Sequence, residues 1–311
     1  MTSTPLTPAP PTATPSAHPT AADASAPPAP PGASSRPTSG VSRTAVIIAQ
    51  ARATEDARTD RLFADPYAQA FVDAVGWIQV AEAGRLNQGH FVLRTRFFDD
   101  YFREAARSGC RQAVVLAAGL DTRAYRLDWP DGFRLFEIDL PGLSAFKEAV
   151  LGVQRAEPSC ERTAVRADLR DDWPAELLAA GFDPEQPTAW LIEGLLMYLE
   201  PADTDLLLKR LGDLCAPGSR LALEHINQAY TDLPQLRAVH ERLRKVGASW
   251  HSTVEDPRAW LAAHGWSARI TPQTELAARH DRPVPELTDP DRVGDARMWL
   301  VDAVRDVTPA R

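Results

Sequence analysis

The sequence predicts an α/β fold built on a doubly wound, mostly parallel sheet of seven strands, and three observations predict it. Short apolar runs at 113–117, 134–138, 163–167, 189–192 and 220–225 recur with polar or helical segments between them. Strands alternating with helices imply parallel strands joined by right-handed crossovers. The first run ends in the small-residue turn Ala117-Ala118-Gly119, and the second ends on Asp139, 20 residues beyond Gly119. In open sheets that spacing offers a nucleotide the loop after the first strand, and its ribose hydroxyls an acid at the end of the second. Two later runs, 266–270 and 297–304, complete the strand count.

The elements follow in order. Residues 1–40 hold 11 of the 27 prolines, and Leu6 is their one large apolar side chain besides Met1. Such a segment buries too little surface to offset its ordering entropy, so it is expected to be a disordered tail. Residues 41–109 are expected to be helical. Ala45, Ile48, Ala49 and Ala53 recur at helical spacing, and Asp65-Pro66 opens a second helix carrying Ala68, Phe71, Val72 and Val75. Residues 94–108 form an amphipathic helix with Phe97, Phe98, Tyr101, Phe102 and Ala105 on one face, stopped by Gly109. Residues 110–311 hold the strands, with a helix at 201–214 closed by Pro217-Gly218. A long helix is expected at about 230–246, a short one at 256–264, and a loop over 271–296 before the last strand.

Composition narrows the function classes. The net charge of −8 comes without a basic stripe, which speaks against a nucleic-acid partner. No apolar run is long enough for a membrane span and none reads as a signal segment, so a cytoplasmic protein is expected. Three widely spaced cysteines (Cys110, Cys160, Cys215) suggest neither a disulfide framework nor a metal site.

Ligands of open α/β sheets sit outside the carboxyl ends of the strands. Here those ends carry Ala117-Ala118-Gly119, then Glu137 and Asp139, then Asp168-Leu169, then Glu193, then Glu224 and His225. Acids at four successive ends repel one another unless something cationic or rich in donors lies among them. A sulfonium bearing an α-amino group, a ribose diol and an adenine amine supplies all three.

The motifs AAGLDTRAYRL, FEIDLP, ADLRDDW and WLIEGLLMYLEP, in that order, resemble the leucine carboxyl methyltransferase-like family of S-adenosylmethionine-dependent methyltransferases. The resemblance runs from about Thr44 to Val304 and includes ADPYAQAFV and RTRFFDDYF. It implies a class I methyltransferase domain over 41–311, its C-terminal part serving the substrate, with S-adenosyl-L-methionine as cofactor. The bacterial branch of the family includes O-methyltransferases of natural-product pathways. The activity implied is therefore O-methylation of a carboxylate or phenolic hydroxyl on a small molecule of secondary metabolism. By the same resemblance Arg94 takes the cofactor's methionine carboxylate, a job suited to a planar guanidinium, and Arg96 is a rival on another helical face. Asp139 takes the ribose hydroxyls, Asp168 and Leu169 hold adenine, and Glu193 lies near the methionine amine. Gly119 lets the backbone approach the ligand. Ala117 stands where the family usually has glycine.

Asp121 and Thr122 read as helix caps, and Trp129 and Trp190 as packing. An ionised carboxylate acceptor needs no base, whereas a phenol benefits from one. The candidates are His225, His251 and Tyr198; none is assigned, and His225 reads equally as a packed histidine bonded to a neighbouring backbone group. Two competing readings share the sheet. A nicotinamide-dependent oxidoreductase is weakened by the missing later glycines that admit a pyrophosphate. The other is a cofactor-binding protein without transfer activity.

Overall fold

The computed structural model describes residues 1, 40–78, 88–245 and 247–305. The chain divides into two units, Met1–Pro30 and Pro31–Arg311, and every element below belongs to the second. The tail expected over residues 1–40 lies outside the described residues except at its two ends.

Three helices precede the sheet: α1 (Gly40–Asp56), α2 (Ala68–Val75) and α3 (Gln88–Arg107). The alternating part follows as β1 (Gln112–Leu116), α4 (Arg123–Arg126), β2 (Arg134–Asp139), α5 (Pro141–Val153), β3 (Glu161–Arg166), α6 (Trp173–Ala179), β4 (Thr188–Ile192), α7 (Pro201–Asp213) and β5 (Arg220–Ile226). Then come α8 (Gln228–Thr231), α9 (Arg237–Lys245), α10 (Pro257–Ala263), β6 (Trp266–Thr271), α11 (Gln273–Arg279), α12 (Pro290–Val293) and β7 (Met298–Arg305). The seven strands lie in the order β3-β2-β1-β4-β5-β7-β6. The first five run parallel, and β7 inserts antiparallel between β5 and β6.

Side chains alternate between the two faces of the sheet. Val114, Leu116, Phe136, Ile138, Trp190 and Ile192 pack with Trp173, Leu177, Leu207 and Leu211 from α6 and α7. On the other face Ala113, Val115, Leu135, Ala189, Leu191 and Ala222 are mostly small, and the bulk comes from Leu93, Phe97, Phe98 and Phe102 of α3. The aromatic stripe of α3 therefore fits against a thin patch of sheet. Trp190 is fully buried and Trp129 stacks on Phe133 at 4.3 Å, so both serve packing.

Two expected elements differ. The single helix at about 230–246 is broken into α8, a 3-10 turn at Pro234–Leu236 and α9. Pro234 has no N–H to give, and it holds Leu233 in an extended conformation with ψ of 127°. The expected loop over 271–296 contains α11, a 3-10 turn at Glu286–Thr288 and α12. Helix α3 also starts earlier than its apolar stripe indicated, at Gln88. No helix among the described residues is long and apolar enough to cross a membrane.

The turn after β1 is under backbone constraint. Ala117 sits at φ 51° and Gly119 at φ 53°, both in the left-handed region. Such a conformation costs an L side chain roughly 1–2 kcal/mol. Ala117→Gly is therefore expected to leave the urea midpoint unchanged or raise it, whereas glycine at an ordinary position costs roughly 0.5–1 kcal/mol. A loss of that ordinary size would show that the turn is unstrained.

Helix α3 is also tied down by charge. Asp99 is fully buried and accepts from Arg123 at 2.8 Å and from Arg126 at 2.6 and 2.7 Å. Burial works against its ionisation, but the two guanidinium groups outweigh burial and hold its carboxyl below the usual range. Removing one partner of such a cluster strands buried charge. Asp99→Ala should thus lower the unfolding free energy by about 3–5 kcal/mol in urea titration; a change below about 1 kcal/mol would show the cluster to be solvated.

Candidate active site

The carboxyl ends of β1, β2 and β4 open into one cleft, covered on its far side by α1. Its walls include Thr44, Ile48 and Arg52 of α1, Arg94 of α3, residues 117–121 of the β1 turn, Asp139, Glu193 to Leu195, and Tyr198. It contains about 800 Å³ of empty space, part of it continuous with solvent.

Five of the seven residues singled out for the cofactor line this cleft: Arg94, Ala117, Gly119, Asp139 and Glu193. Asp139 accepts the Gly119 N–H at 2.5 Å and the Leu140 N–H at 2.6 Å. Those bonds draw the turn onto the end of β2. Burial pushes the Asp139 carboxyl above its ordinary value, with the two backbone N–H groups working the other way. Asp168 and Leu169 are not among the lining residues. The Asp168 carboxylate is instead engaged by exposed Arg170, at 2.9 Å from its Nε and 2.5 Å from its Nη2.

Arg94 is buried, with 2% of its surface exposed. Its Nη1 donates to Glu224 at 2.6 Å, and its Nε lies 2.9 Å from Glu193. Burial pulls the guanidinium down, yet Glu224 and Glu193 more than offset it and hold its pKa above the ordinary value. Nε and Nη2 are buried with no hydrogen-bond partner among the described residues, so the Nε contact with Glu193 is an ion pair only. Arg96 lies elsewhere, bonded to Asp100 and the Leu62 carbonyl.

The cations expected among the acids at the strand ends are supplied from within the chain as well. Glu137 pairs with Lys147 at 2.6 Å and Arg162 at 2.7 Å. Glu193 bridges Arg94 and Arg123, the latter at 2.8 Å. Asp139 is the exception, held by backbone donors alone.

Arg123 was not singled out by sequence, although it stands in GLDTR. It contacts Glu193, Asp121 and Asp99 together. Asp121 acts as a local cap by accepting the Arg123 N–H at 2.6 Å. Thr122 does not cap: it donates to buried Asp65 at 2.8 Å and accepts from Arg52 at 3.2 Å and Arg126 at 3.1 Å. Asp65 likewise serves Arg52, at 2.9 Å, beyond its local role before α2. The signal available for Arg52 was a charge closing the mostly apolar run AVIIAQAR.

Of the three candidate bases, Tyr198 lines the cleft, and burial raises its phenol above the ordinary value. His225 is buried, takes the Ile226 N–H on Nδ1 at 2.9 Å and meets Ser252 through Nε2 at 3.1 Å. Burial lowers its pKa to about 4, so it is a packed histidine held by backbone. His251 pairs with Glu200 at 3.0 Å. Among the described residues no group of three or more His, Cys, Asp or Glu side chains is placed to hold a metal ion, and the three cysteines are unpaired.

The charge balance of the cleft fits a zwitterionic sulfonium. Four buried arginines (52, 94, 123 and 126) face the carboxylates of Asp65, Asp99, Asp121, Glu193 and Glu224, with Asp139 additional. Among the residues lining the cleft the charges balance, Arg52, Arg94 and Arg123 against Asp121, Asp139 and Glu193, and Arg94 Nη2 has no hydrogen-bond partner among the described residues.

Comparison with known proteins agrees. The family model described as leucine carboxyl methyltransferase matches residues 45–212. A relative from Mycobacteroides abscessus, provisionally named an S-adenosyl-L-methionine-dependent methyltransferase, is 43% identical over 81% of this chain and 88% of its own. One from Parafrankia sp., provisionally named in the same way, is 45% identical over 80% of this chain and 84% of its own. Among solved structures, a duf574 family protein from Streptomyces avermitilis covers 80% of this chain and 97% of its own, with a TM-score of 0.52 and 17% identity, and so shares the fold. The nicotinamide-dependent reading is thereby set aside. The chain belongs to the leucine carboxyl methyltransferase family and is an S-adenosyl-L-methionine-dependent methyltransferase.

Proposed function

We propose that this enzyme transfers the methyl group to an oxygen of a small molecule, a carboxylate or a phenolic hydroxyl, in secondary metabolism. The observation that carries the reading is buried Arg94 with Nη2 unsatisfied, between Glu193 and the Asp139 turn at one set of strand ends. Arg94 Nη2 would hold the methionine carboxylate, Glu193 the α-ammonium group, and Asp139 the ribose hydroxyls. The bent backbone at Ala117 and Gly119 would leave room for the ligand. Asp168 and Leu169 would reach adenine from the rim, provided Arg170 releases the Asp168 carboxylate. When bound, S-adenosylmethionine supplies a methyl group already activated on a sulfonium.

The remaining task of the protein is alignment, which contributes up to roughly 7–11 kcal/mol in favourable systems. Among the described residues, no histidine or lysine lines the cleft, and its one phenol, Tyr198, has a raised pKa. These surroundings favour an acceptor that arrives ionised, a carboxylate, over a phenol that must lose a proton at the site. The proposed domain arrangement is a helical part over 41–109 followed by the catalytic core over 110–311.

The direct test is incubation with labelled S-adenosylmethionine and a panel of small carboxylates and phenols. Methyl ester formation is the expected product. Cofactor binding with no product from any acceptor, a protein C-terminus included, would instead mark a binding protein without transfer activity.

Asp139→Ala should weaken S-adenosylhomocysteine at least tenfold by calorimetry, since hydrogen bonds to a charged group contribute about 1.5–3 kcal/mol each. The carboxylate must be ionised to accept from both hydroxyls, and its pKa is raised. Affinity is therefore present at neutral pH and declines on acidification, beginning above the ordinary aspartate value of about 3.9. Asp139→Asn should flatten that decline; an unchanged pH profile would remove Asp139 from the site.

A further inference from the structure

The guanidinium of Arg94 is not held by cleft residues alone. Behind it runs a line of buried polar side chains from four separate parts of the chain. Thr288 Oγ1 lies 3.3 Å from Gln273 Oε1, and Gln273 Nε2 lies 2.8 Å from His90 Nδ1. His90 Nε2 lies 2.7 Å from Glu224 Oε1, and Glu224 Oε2 accepts from Arg94 Nη1 at 2.6 Å. His90, Glu224 and Gln273 are 0%, 1% and 5% exposed.

Glu224 is a carboxylate and can only accept, so His90 donates to it through Nε2, and the Gln273 side-chain amide meets the other ring nitrogen. Each side chain fixes the next, and a fully satisfied buried network specifies one arrangement. Gly194, at φ 66°, brings its backbone in beside this end of the line: a Cβ there would stand 3.6 Å from Arg94 Nη1. Glu224 takes Nη1, so the guanidinium can turn only by giving up that bond; Nε and Nη2 make no hydrogen bond among the described residues, Nε lying 2.9 Å from Glu193.

The geometry points to His90, Glu224 and Gln273 as positioning residues for the cofactor's carboxylate: Gln273 sets the imidazole, His90 sets Glu224, and Glu224 holds Arg94 with Nη2 turned over to the ligand. The assignment rests on the cofactor reading above. It carries a physical tension that makes it testable. Glu224 is itself an anion on Arg94, so if its part were only to neutralise that arginine, removing its charge would strengthen the grip on a second carboxylate. If its part is orientation, removing its contacts weakens the grip.

The test is calorimetry with two ligands on the full chain. S-Adenosylhomocysteine carries the amino-acid carboxylate, and 5′-methylthioadenosine lacks it while keeping the adenosine and thioether. His90→Phe and Gln273→Leu remove hydrogen bonds while leaving the Glu224 carboxylate in place, and Glu224→Gln removes its charge. All three are expected to bind S-adenosylhomocysteine roughly 10- to 100-fold more weakly, the scale of hydrogen bonds to charged groups, and 5′-methylthioadenosine as the unaltered protein does. Retained 5′-methylthioadenosine binding also shows that a variant has folded; should Glu224→Gln not fold, the other two variants decide. Equal losses for both ligands, no loss for either, or tighter S-adenosylhomocysteine binding by Glu224→Gln would each overturn the assignment. If the unaltered protein binds neither ligand, the cofactor reading itself fails.

Discussion

The site depends on burying four arginines beside the strand ends and giving each of them carboxylates. Taking guanidinium groups out of water costs several kcal/mol each, and only well-placed anions offset that cost. The chain meets the constraint by sharing its acids. Asp99 serves Arg123 and Arg126, and Glu193 serves Arg94 and Arg123. Asp65 pairs with Arg52, which also donates to the Leu120 carbonyl at 2.6 Å. The line of charge therefore begins on α1, passes through α3 and α4, and ends on β4 and β5. Helices that precede the sheet in sequence are bound to the carboxyl edge of its strands by ions as well as by apolar contact.

That constraint shapes the turn after β1. Arg123 and Arg126 lie three residues apart on α4, a single helical turn, and both reach Asp99. The chain must leave β1 sharply to place that turn, which accounts for the left-handed backbone at Ala117 and Gly119. The Gly119 N–H is then directed at Asp139, so the bend and the acid at the end of β2 support one another. An alanine is tolerated where glycine is usual because φ 51° is accessible to an L residue at a modest cost.

How much of this was legible follows from what each feature depends on. The parallel strands announce themselves through local apolar runs, and the strand-end acids follow from where those runs stop. Asp139 follows from the 20-residue spacing after Gly119, whereas Arg94 needed the family resemblance to acquire a role. The pairing of Arg123 with Asp99 and Glu193 was hidden, because those partners lie 24 and 70 residues away and no period links them. Asp121 and Thr122 were read as caps, and only Asp121 behaves so, because Thr122 is drawn off by Asp65, 57 residues earlier. The break at Pro234 is visible in the sequence as a proline inside the span expected to be one helix. The seating of β7 between β5 and β6 is decided by long-range hydrogen bonding, which local pattern does not encode.

The distribution of charge also explains why a one-glycine loop suffices. A dinucleotide needs a pyrophosphate at the turn, and close backbone approach there is what the additional glycines provide. Here the turn meets Asp139, which is held by backbone donors, while Asp121 and Glu193 are paired with Arg123. A pyrophosphate over the turn would meet the unpaired Asp139 carboxylate, whereas S-adenosylmethionine carries no phosphate, so Ala117 can stand at this turn without obstructing one.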